Sequence, residues 1–441
     1  MIKQLKLSFL FFAILFDSAA QQTKTFTLEE VKSYALLHSH ALTDINYDIE
    51  KAELKVKEYL GILLPQVNGE LSYTHYGKLP ASIIPAGTFG NPEPIEATFG
   101  TPNNLSANIS LTQIIFNGSF LIGVKGAQEY VELSKQETAI QEQVIKNDVT
   151  TAFFNALIAR ENITIIQQNI QNLEKLIFET EQIYKNGFAE ELDVDRLKLS
   201  LTNLKTSIEN LEVQKELTLT LLKYNMGMPL DSTIEITGKL SELVESIQVP
   251  LENRPDFTFR KDVQLMNASA DLQRTNIKRI KYEYLPSLVG YATLGSQAQR
   301  EKFNFFNFKE PWLNNRFFGV QLSVPIWDSY TRKRQIQGVG VTIKQIENNR
   351  DRLVDAYEIQ YESAKANLVN ALNDYNNFKE TLALAEKIYK IANIKYKEGI
   401  GSSLELKSAQ SELYLTQANY QNSMYKVVMA NQSLNNILEK N

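Results

Sequence analysis

Cysteine is absent from all 441 residues. That excludes disulfides, metal–thiolate sites, thiol catalysis and lipidation through an N-terminal Cys, and it is compatible with an oxidising compartment. Histidine is nearly as scarce, with only His38, His40 and His75. His38 and His40 stand two apart on a predicted helix, so they point in different directions and make a poor metal pair. No acidic cluster completes a site around them, and a packed or solvated role follows. Blocks of Lys or Arg are missing and the net charge is −5, which argues against a nucleic-acid partner, whose phosphates need a basic footprint. Gly123 and Gly126 do not follow a phosphate-loop pattern. Neither a catalytic constellation nor a cofactor motif is present, so the chain is not read as an enzyme. Long uncharged apolar runs are also lacking beyond residue 20. Any membrane crossing after that point must therefore be made by β-strands.

Hydrophobic residues make up 43% of the chain, enough for a large core. Residues 1–20 have the pattern of a secretory signal: Lys3 and Lys6, then the apolar run Leu7 to Phe16, then Ser18-Ala-Ala. That run is too short for a bilayer, which needs about 20 apolar residues. The mature chain is expected to begin at Gln21.

The strongest organising signal is an internal duplication. Tyr184-Lys-Asn-Gly-Phe-Ala-Glu-Glu-Leu-Asp returns as Tyr396-Lys-Glu-Gly-Ile-Gly-Ser-Ser-Leu-Glu. Tyr184 falls on Tyr396, Gly187 on Gly399 and Asp193 on Glu405, all 212 residues apart. In each copy a long helix should close on a left-handed glycine, and a second helix should start back a few residues later. Ser402 and Glu405 have the spacing of a capping box for that second helix.

Taken in order, the chain opens with a helix over 27–60, with Thr27 and Glu30 as a capping box. Pro65 ends it, and the period changes to strict alternation. Val67, Gly69, Leu71 and Tyr73 share one strand face. After a Pro-rich loop, Leu105, Ala107, Ile109 and Leu111 oppose Ser106, Asn108, Ser110 and Thr112. A helix follows over 118–186, about 100 Å long at 1.5 Å per residue, with Val144, Thr151, Ile158 and Ile165 as one stripe. The next helix, 190–224, carries a heptad seam through Leu197, Leu201, Leu204, Ile208, Leu211 and Leu222. Residues 229–252 form a mixed segment with a short strand at 233–237. Asn253-Arg-Pro-Asp then starts a helix running to Tyr284, with Pro255 in its first turn. A third strand spans 288–297, and a fourth places Phe318, Val320, Leu322, Val324 and Ile326 on one face. Long helices over 331–397 and 403–439 complete the second copy.

Such a fold is mainly α with a small β part. A soluble four-stranded sheet packed on its own helices accounts for the alternation alone. The signal sequence, strands of about ten residues and aromatics at the strand ends (Tyr73, Tyr76, Phe116, Phe317, Phe318, Trp327) match strands that cross an outer membrane. Four strands cannot close a barrel, because about eight is the smallest number that does. A membrane sheet would then need several copies of the chain.

The whole layout resembles the outer-membrane efflux protein family, which is TolC-like. The residues that carry the resemblance are Leu64-Pro65 and Leu285-Pro286 before strands one and three, Leu322-Ser-Val-Pro-Ile-Trp-Asp and its counterpart Leu111-Thr-Gln-Ile-Ile-Phe-Asn-Gly, the Asn253-Arg-Pro-Asp start, and both Tyr-x-x-Gly turns. The resemblance implies a signal peptide over 1–20, a first repeat over 21–228, the middle segment 229–252 and a second repeat over 253–441. It further implies a homotrimer with a 12-stranded transmembrane β-barrel, four strands from each of three chains, and a periplasmic α-helical barrel of long antiparallel hairpins. Its partners would be a periplasmic adaptor, an inner-membrane transporter and outer-membrane lipid, and its function a passive exit duct for efflux or type I secretion. In the family, acidic residues narrow the periplasmic mouth six and nine positions after the second turn glycine. Here those positions hold Glu405 and Ser408, and in the first copy Asp193 and Arg196. Tyr184, Gly187, Asp193, Tyr396, Gly399 and Glu405 are thus the gate and turn candidates, with Arg196 or Lys407 as ion-pair partners. The alternative is a soluble periplasmic coiled-coil adaptor or scaffold; it would stay in the soluble periplasmic extract, whereas a duct would require detergent. N-terminal sequencing of the secreted protein should give a start at Gln21, and a start well away from it would overturn the signal assignment.

Overall fold

The computed structural model describes residues 24–90, 92–249, 255–307 and 309–439. The signal segment, the start at Gln21 and the Asn253-Arg254 pair lie outside the described residues. In chain order the elements are β1 (Lys24–Phe26), α1 (Leu28–His38), α2 (His40–Ile62), β2 (Gln66–His75), β3 (Ala81–Ile84), β4 (Ile95–Thr98), β5 (Asn103–Phe116), α3 (Gly118–Lys185), α4 (Glu191–Met226), β6 (Ile234–Ile236), α5 (Leu240–Ser246), α6 (Lys261–Tyr282), β7 (Ser287–Arg300), β8 (Leu313–Ser323), α7 (Thr331–Lys397) and α8 (Ser403–Ile437). The chain divides into two compact units.

One unit contains residues 45–138 and 258–354 and holds the sheet. Its four strands run antiparallel in the order β2-β5-β7-β8. Register decides which side chains share a face. Leu111 pairs with both Val67 and Ala292, and Ala292 with Phe318. Ile109 pairs with Gly69 and Leu294, and Leu288 with Leu322. The apolar set therefore shares one face, which crosses all four strands in the Leu111 row, while the Ile109–Leu294 row ends on Arg316 and the Leu71–Ala107 row on Ser296 and Asn314. Val67, Leu71, Ile109, Leu294, Phe318 and Val320 are exposed in the isolated chain. The opposite face carries Asn68, Ser110 and Thr293, then Glu70, Asn108 and Gly295. Two details differ from the sequence expectation. β8 starts earlier than predicted and ends at Ser323, before Val324 and Ile326, because Pro325 has no N–H to give to a ladder. The Pro-rich loop after β2 is not featureless either: β3 and β4 pair within it.

The other unit contains the described residues up to Asp44, then Ala139–Phe257 and the chain from Asp355 onward. β1 and β6 pair in parallel, a pairing the sequence reading missed. Arg160 donates to the carbonyls of Ile236 and Gly238, and the Glu161 carboxylate accepts from the Leu240 N–H at 2.8 Å. Two adjacent residues of α3 thus fasten the middle segment by its backbone, where α5 forms instead of loop.

The predicted first helix is interrupted at Ser39, which is extended. The cause is Gly227, the left-handed cap of α4: its backbone presses so close to His38 and Ser39 that a Cβ there would collide with the His38 carbonyl. The Thr27–Glu30 capping box is present. On α3 the buried stripe is Ile145, Val149, Phe153, Leu157 and Ile163, while Val144 of the expected stripe is exposed. α6 begins at Lys261 and leaves Pro255 outside the helix. Phe257 explains this, because it is buried against the rings of Tyr357 and Tyr361, each 6.0 Å away.

The two sheet faces predict opposite tolerance to charge. Ile109→Lys and Val320→Lys, on the apolar face, should each cost about 2–4 kcal/mol near a bilayer midplane and less towards its edges. Ser110→Lys, on the polar face, should be better tolerated. Urea titration of protein refolded into lipid vesicles measures this, and equal losses on both faces would mark a sheet that stands in water.

Candidate functional site

Both hairpins turn on the same backbone device. Gly187 (φ 78°) and Gly399 (φ 72°) are left-handed, a conformation costly for any residue with a Cβ. Gly187 donates to the Tyr184 carbonyl (2.9 Å) and Phe188 to that of Ile183 (3.0 Å). Gly399 and Ile400 repeat this with Tyr396 (3.1 Å) and Lys395 (3.0 Å). Each pair of bonds is a Schellman closure that satisfies the last carbonyls of the helix.

Beneath the turns, Leu173, Leu176, Ile177, Leu197, Tyr396 and Leu406 form one buried cluster that joins α3, α4, α7 and α8. Full burial of each leucine contributes about 1.5–3 kcal/mol, so this contact fixes how the two hairpins meet. The duplicated tyrosines are not equivalent within it. Tyr396 is buried in the cluster, whereas Tyr184 is exposed. Burial pushes the Tyr396 phenol pKa up, and the neighbouring Thr180 hydroxyl opposes that shift.

The acidic candidates both have partners. The Asp193 carboxylate accepts from the Glu190 N–H at 3.3 Å and lies 3.8 Å from Arg196. Arg196 in turn donates to the Ser403 hydroxyl at 3.0 Å, so it links the second turn of α4 to the first residue of α8. Ser402 accepts from the Glu405 N–H at 3.1 Å, but the second half of that expected capping box is missing. Glu405 instead turns across the loop to the Lys395 ammonium at 3.4 Å. Lys407, considered as a partner for Glu405, donates to the Ser200 hydroxyl of the other hairpin, and partial burial pulls its pKa down. Further pairs cross between helices: Lys397 with Glu179 (2.6 Å) and Lys198 with Glu181 (2.8 Å). The Lys198 bond holds the Glu181 carboxyl below its ordinary value.

Lys395, Ser200 and Ser403 were missed in the sequence. Only Lys395 left a trace there, as a cation on the last turn before the glycine and opposite an acid on the first turn after it. The outermost side chains of the turns are apolar, with Phe188 85% and Ile400 78% exposed.

The comparisons agree with this architecture. The family model for outer membrane efflux proteins matches residues 31–223 and again 248–439. The TolC outer membrane protein of Escherichia coli K12 is 20% identical over 425 residues, covering 91% of this chain and 80% of that protein. Among solved structures, CusC superposes with a TM-score of 0.71 at 16% identity, covering 93% of this chain and 91% of that one. VceC from Vibrio cholerae gives 0.66 at 15%, with 93% and 95% covered. The chain belongs to the outer membrane efflux protein family. It is a channel component of the Gram-negative outer membrane, and the soluble-scaffold alternative is not favoured.

Deeper in the same unit, burial pushes the Tyr414 phenol pKa up to about 12, while a hydrogen bond from Gln410 (3.0 Å) opposes the shift. The folded chain holds this proton more tightly than the unfolded one, whose phenol titrates near 10.0. The contribution is therefore fully present below the unfolded value and is lost as pH rises toward about 12. Circular dichroism against pH should show Tyr414→Phe retaining helix further into alkali. At neutral pH the same change should cost about 1–3 kcal/mol, because the buried Gln410 amide loses its acceptor.

Proposed function

We propose that three copies of the chain join the free edges of β2 and β8 into a barrel of about twelve strands, which clears the minimum of roughly eight. The duct so formed carries cargo passively outward. The observation that carries this reading is the exposed, mainly apolar face shared in register by the four strands and apolar on all of them in the Val67–Leu111–Ala292–Phe318 row, on a sheet with two open edges. Open edges are not tolerated in lipid, where each unpaired backbone group costs several kcal/mol, and closure removes them.

A periplasmic adaptor docks on the hairpin turns and delivers cargo from an inner-membrane transporter. Phe188 and Ile400 support this placement: each occupies the same position of its turn and offers apolar surface that the chain itself does not cover. The proposed domain boundaries are 21–228 and 253–441 for the two repeats around the segment 229–252.

Tyr184, Gly187, Asp193, Tyr396, Gly399 and Glu405 form the gate region. Its closed state is held by bonds between hairpins, Arg196 to Ser403 and Lys407 to Ser200, with Asp193 and Glu405 supplying negative charge. Three copies of each acid concentrate that charge at a narrow mouth and focus its field on passing cations. The Lys395 partner, on the same hairpin, tempers the charge of Glu405.

Single-channel recording in planar bilayers tests the gate. Glu405→Ala should lower cation selectivity and block by divalent ions, while Glu190→Ala should leave both nearly unchanged; no change with Glu405→Ala places the acidic mouth elsewhere. Docking has its own readout. Phe188→Asp with Ile400→Asp should abolish export in cells and adaptor crosslinking at the turns, with the trimer still inserted and conducting.

A further inference from the structure

Beyond the fourth strand the chain builds a site that neither the duct nor its gate uses. β8 ends at Ser323, and Pro325 to Tyr330 cross to the start of α7. A cleft of about 410 Å³ opens there, lined by Tyr284, Ile326, Trp327, Tyr330, Arg332 and Lys333 among others. Its walls are unusually apolar for a surface: Ile326 is 93% exposed and Trp327 70%. The Trp327 and Tyr330 rings stand edge to face at 4.9 Å.

Arg332 and Lys333 line this cleft, and Arg334 follows them on α7 beside its rim residue Gln337. Arg332 is balanced within the fold, 3.4 Å from Asp328 and 3.6 Å from Glu283, with its guanidinium over the Tyr284 ring. Lys333 and Arg334 have no carboxylate within ion-pairing distance among the described residues: Lys333 lies over the Tyr330 ring at 5.6 Å, and Arg334 donates to Gln337. Both stand in the first turn of α7, which holds no acidic residue. That is the end of a helix where positive charge is disfavoured. Nor are the helix amides free for an anion, because Asp328 accepts from Tyr330 (3.1 Å) and Arg332 (3.2 Å). Any phosphate held here must be held by side chains.

We infer that this cleft binds the headgroup of an anionic glycerophospholipid, with Lys333 and Arg334 facing the phosphate and Ile326, Trp327 and Tyr330 lying against the glycerol and upper acyl region. The inference rests on the membrane reading of the sheet. Two features select a lipid as the occupant. The apolar walls continue along the chain from Val320 and Leu322 of the sheet's exposed apolar face, and aromatic rings with apolar bodies and polar tips favour the headgroup level of a bilayer. Uncompensated cations beside them match a negative headgroup and have no use for a neutral one.

Native mass spectrometry of the trimer in mild detergent, with phosphatidylglycerol or phosphatidylcholine added, tests the site. Wild type should retain phosphatidylglycerol preferentially, and Lys333→Gln with Arg334→Gln should reduce that preference by roughly fivefold for each cation removed. Trp327→Ala should weaken retention of both lipids alike. An unchanged preference in the double variant overturns the headgroup site. So does a double variant that falls to monomers with its lipid ratio unaltered, since the cleft would then be a seam between copies. Flotation with vesicles separates the two levels of failure: wild type that does not float overturns the membrane reading as well, whereas wild type that floats leaves that reading standing.

Discussion

Backbone hydrogen bonding at the edges of one small sheet constrains everything else in this chain. Antiparallel strands pair on both sides, and β2 and β8 each have one side that no described strand occupies. In water such edges are solvated; in hydrocarbon they are prohibitively costly. A sheet with an apolar face and two open edges is therefore an incomplete object in hydrocarbon. The polar face follows from the same geometry, since successive residues of a strand point to opposite faces of the sheet.

The helical unit solves a different problem, that of holding very long helices in register with few residues. Its means are local and directional. A leucine-rich cluster with Tyr396 at its edge joins four helices at the turns. Arg160 and Glu161 tie the middle segment to α3 through its backbone groups, beside the buried side chains of Ile234, Ile236, Leu240 and Val244. Around that cluster the hairpins are also joined by single polar bonds, such as Arg196 to Ser403. Partly buried bonds of this kind contribute about 0.5–1.5 kcal/mol each. The apolar cluster thus supplies most of the energy of this contact and the polar bonds its direction.

Much of this was legible in the residues because it is periodic. Strand alternation gave the faces of β2 and β5, and glycine beside tyrosine gave both turns. The long helices α3 and α7 ended within about one residue of their expected limits because nothing inside them breaks a helix. What could not be read was set by contacts distant in sequence. Ser39 breaks the first helix only because Gly227 arrives beside it, and Pro255 is kept out of α6 by the burial of Phe257. At the candidate site the glycines and acids were visible in the duplicated motif, but their partners were not. Lys407 satisfies Ser200 rather than Glu405, and Lys395 is drawn to Glu405 by the path of the turn, which spacing alone does not encode.

The duplication also makes the chain its own reference. At the turns, residues 212 apart occupy matching backbone positions yet carry different loads, as Tyr184 and Tyr396 show: one ring meets solvent and the other is enclosed. A change of side chain at one position can thus be compared with the same change at its counterpart, under identical expression, lipid and temperature. Where the paired effects agree, the turn as a backbone motif is responsible; where they diverge, the surroundings of one copy have taken over a task that the other has been free to drop. Divergence between the halves is in this sense a map of specialisation, written inside a single polypeptide.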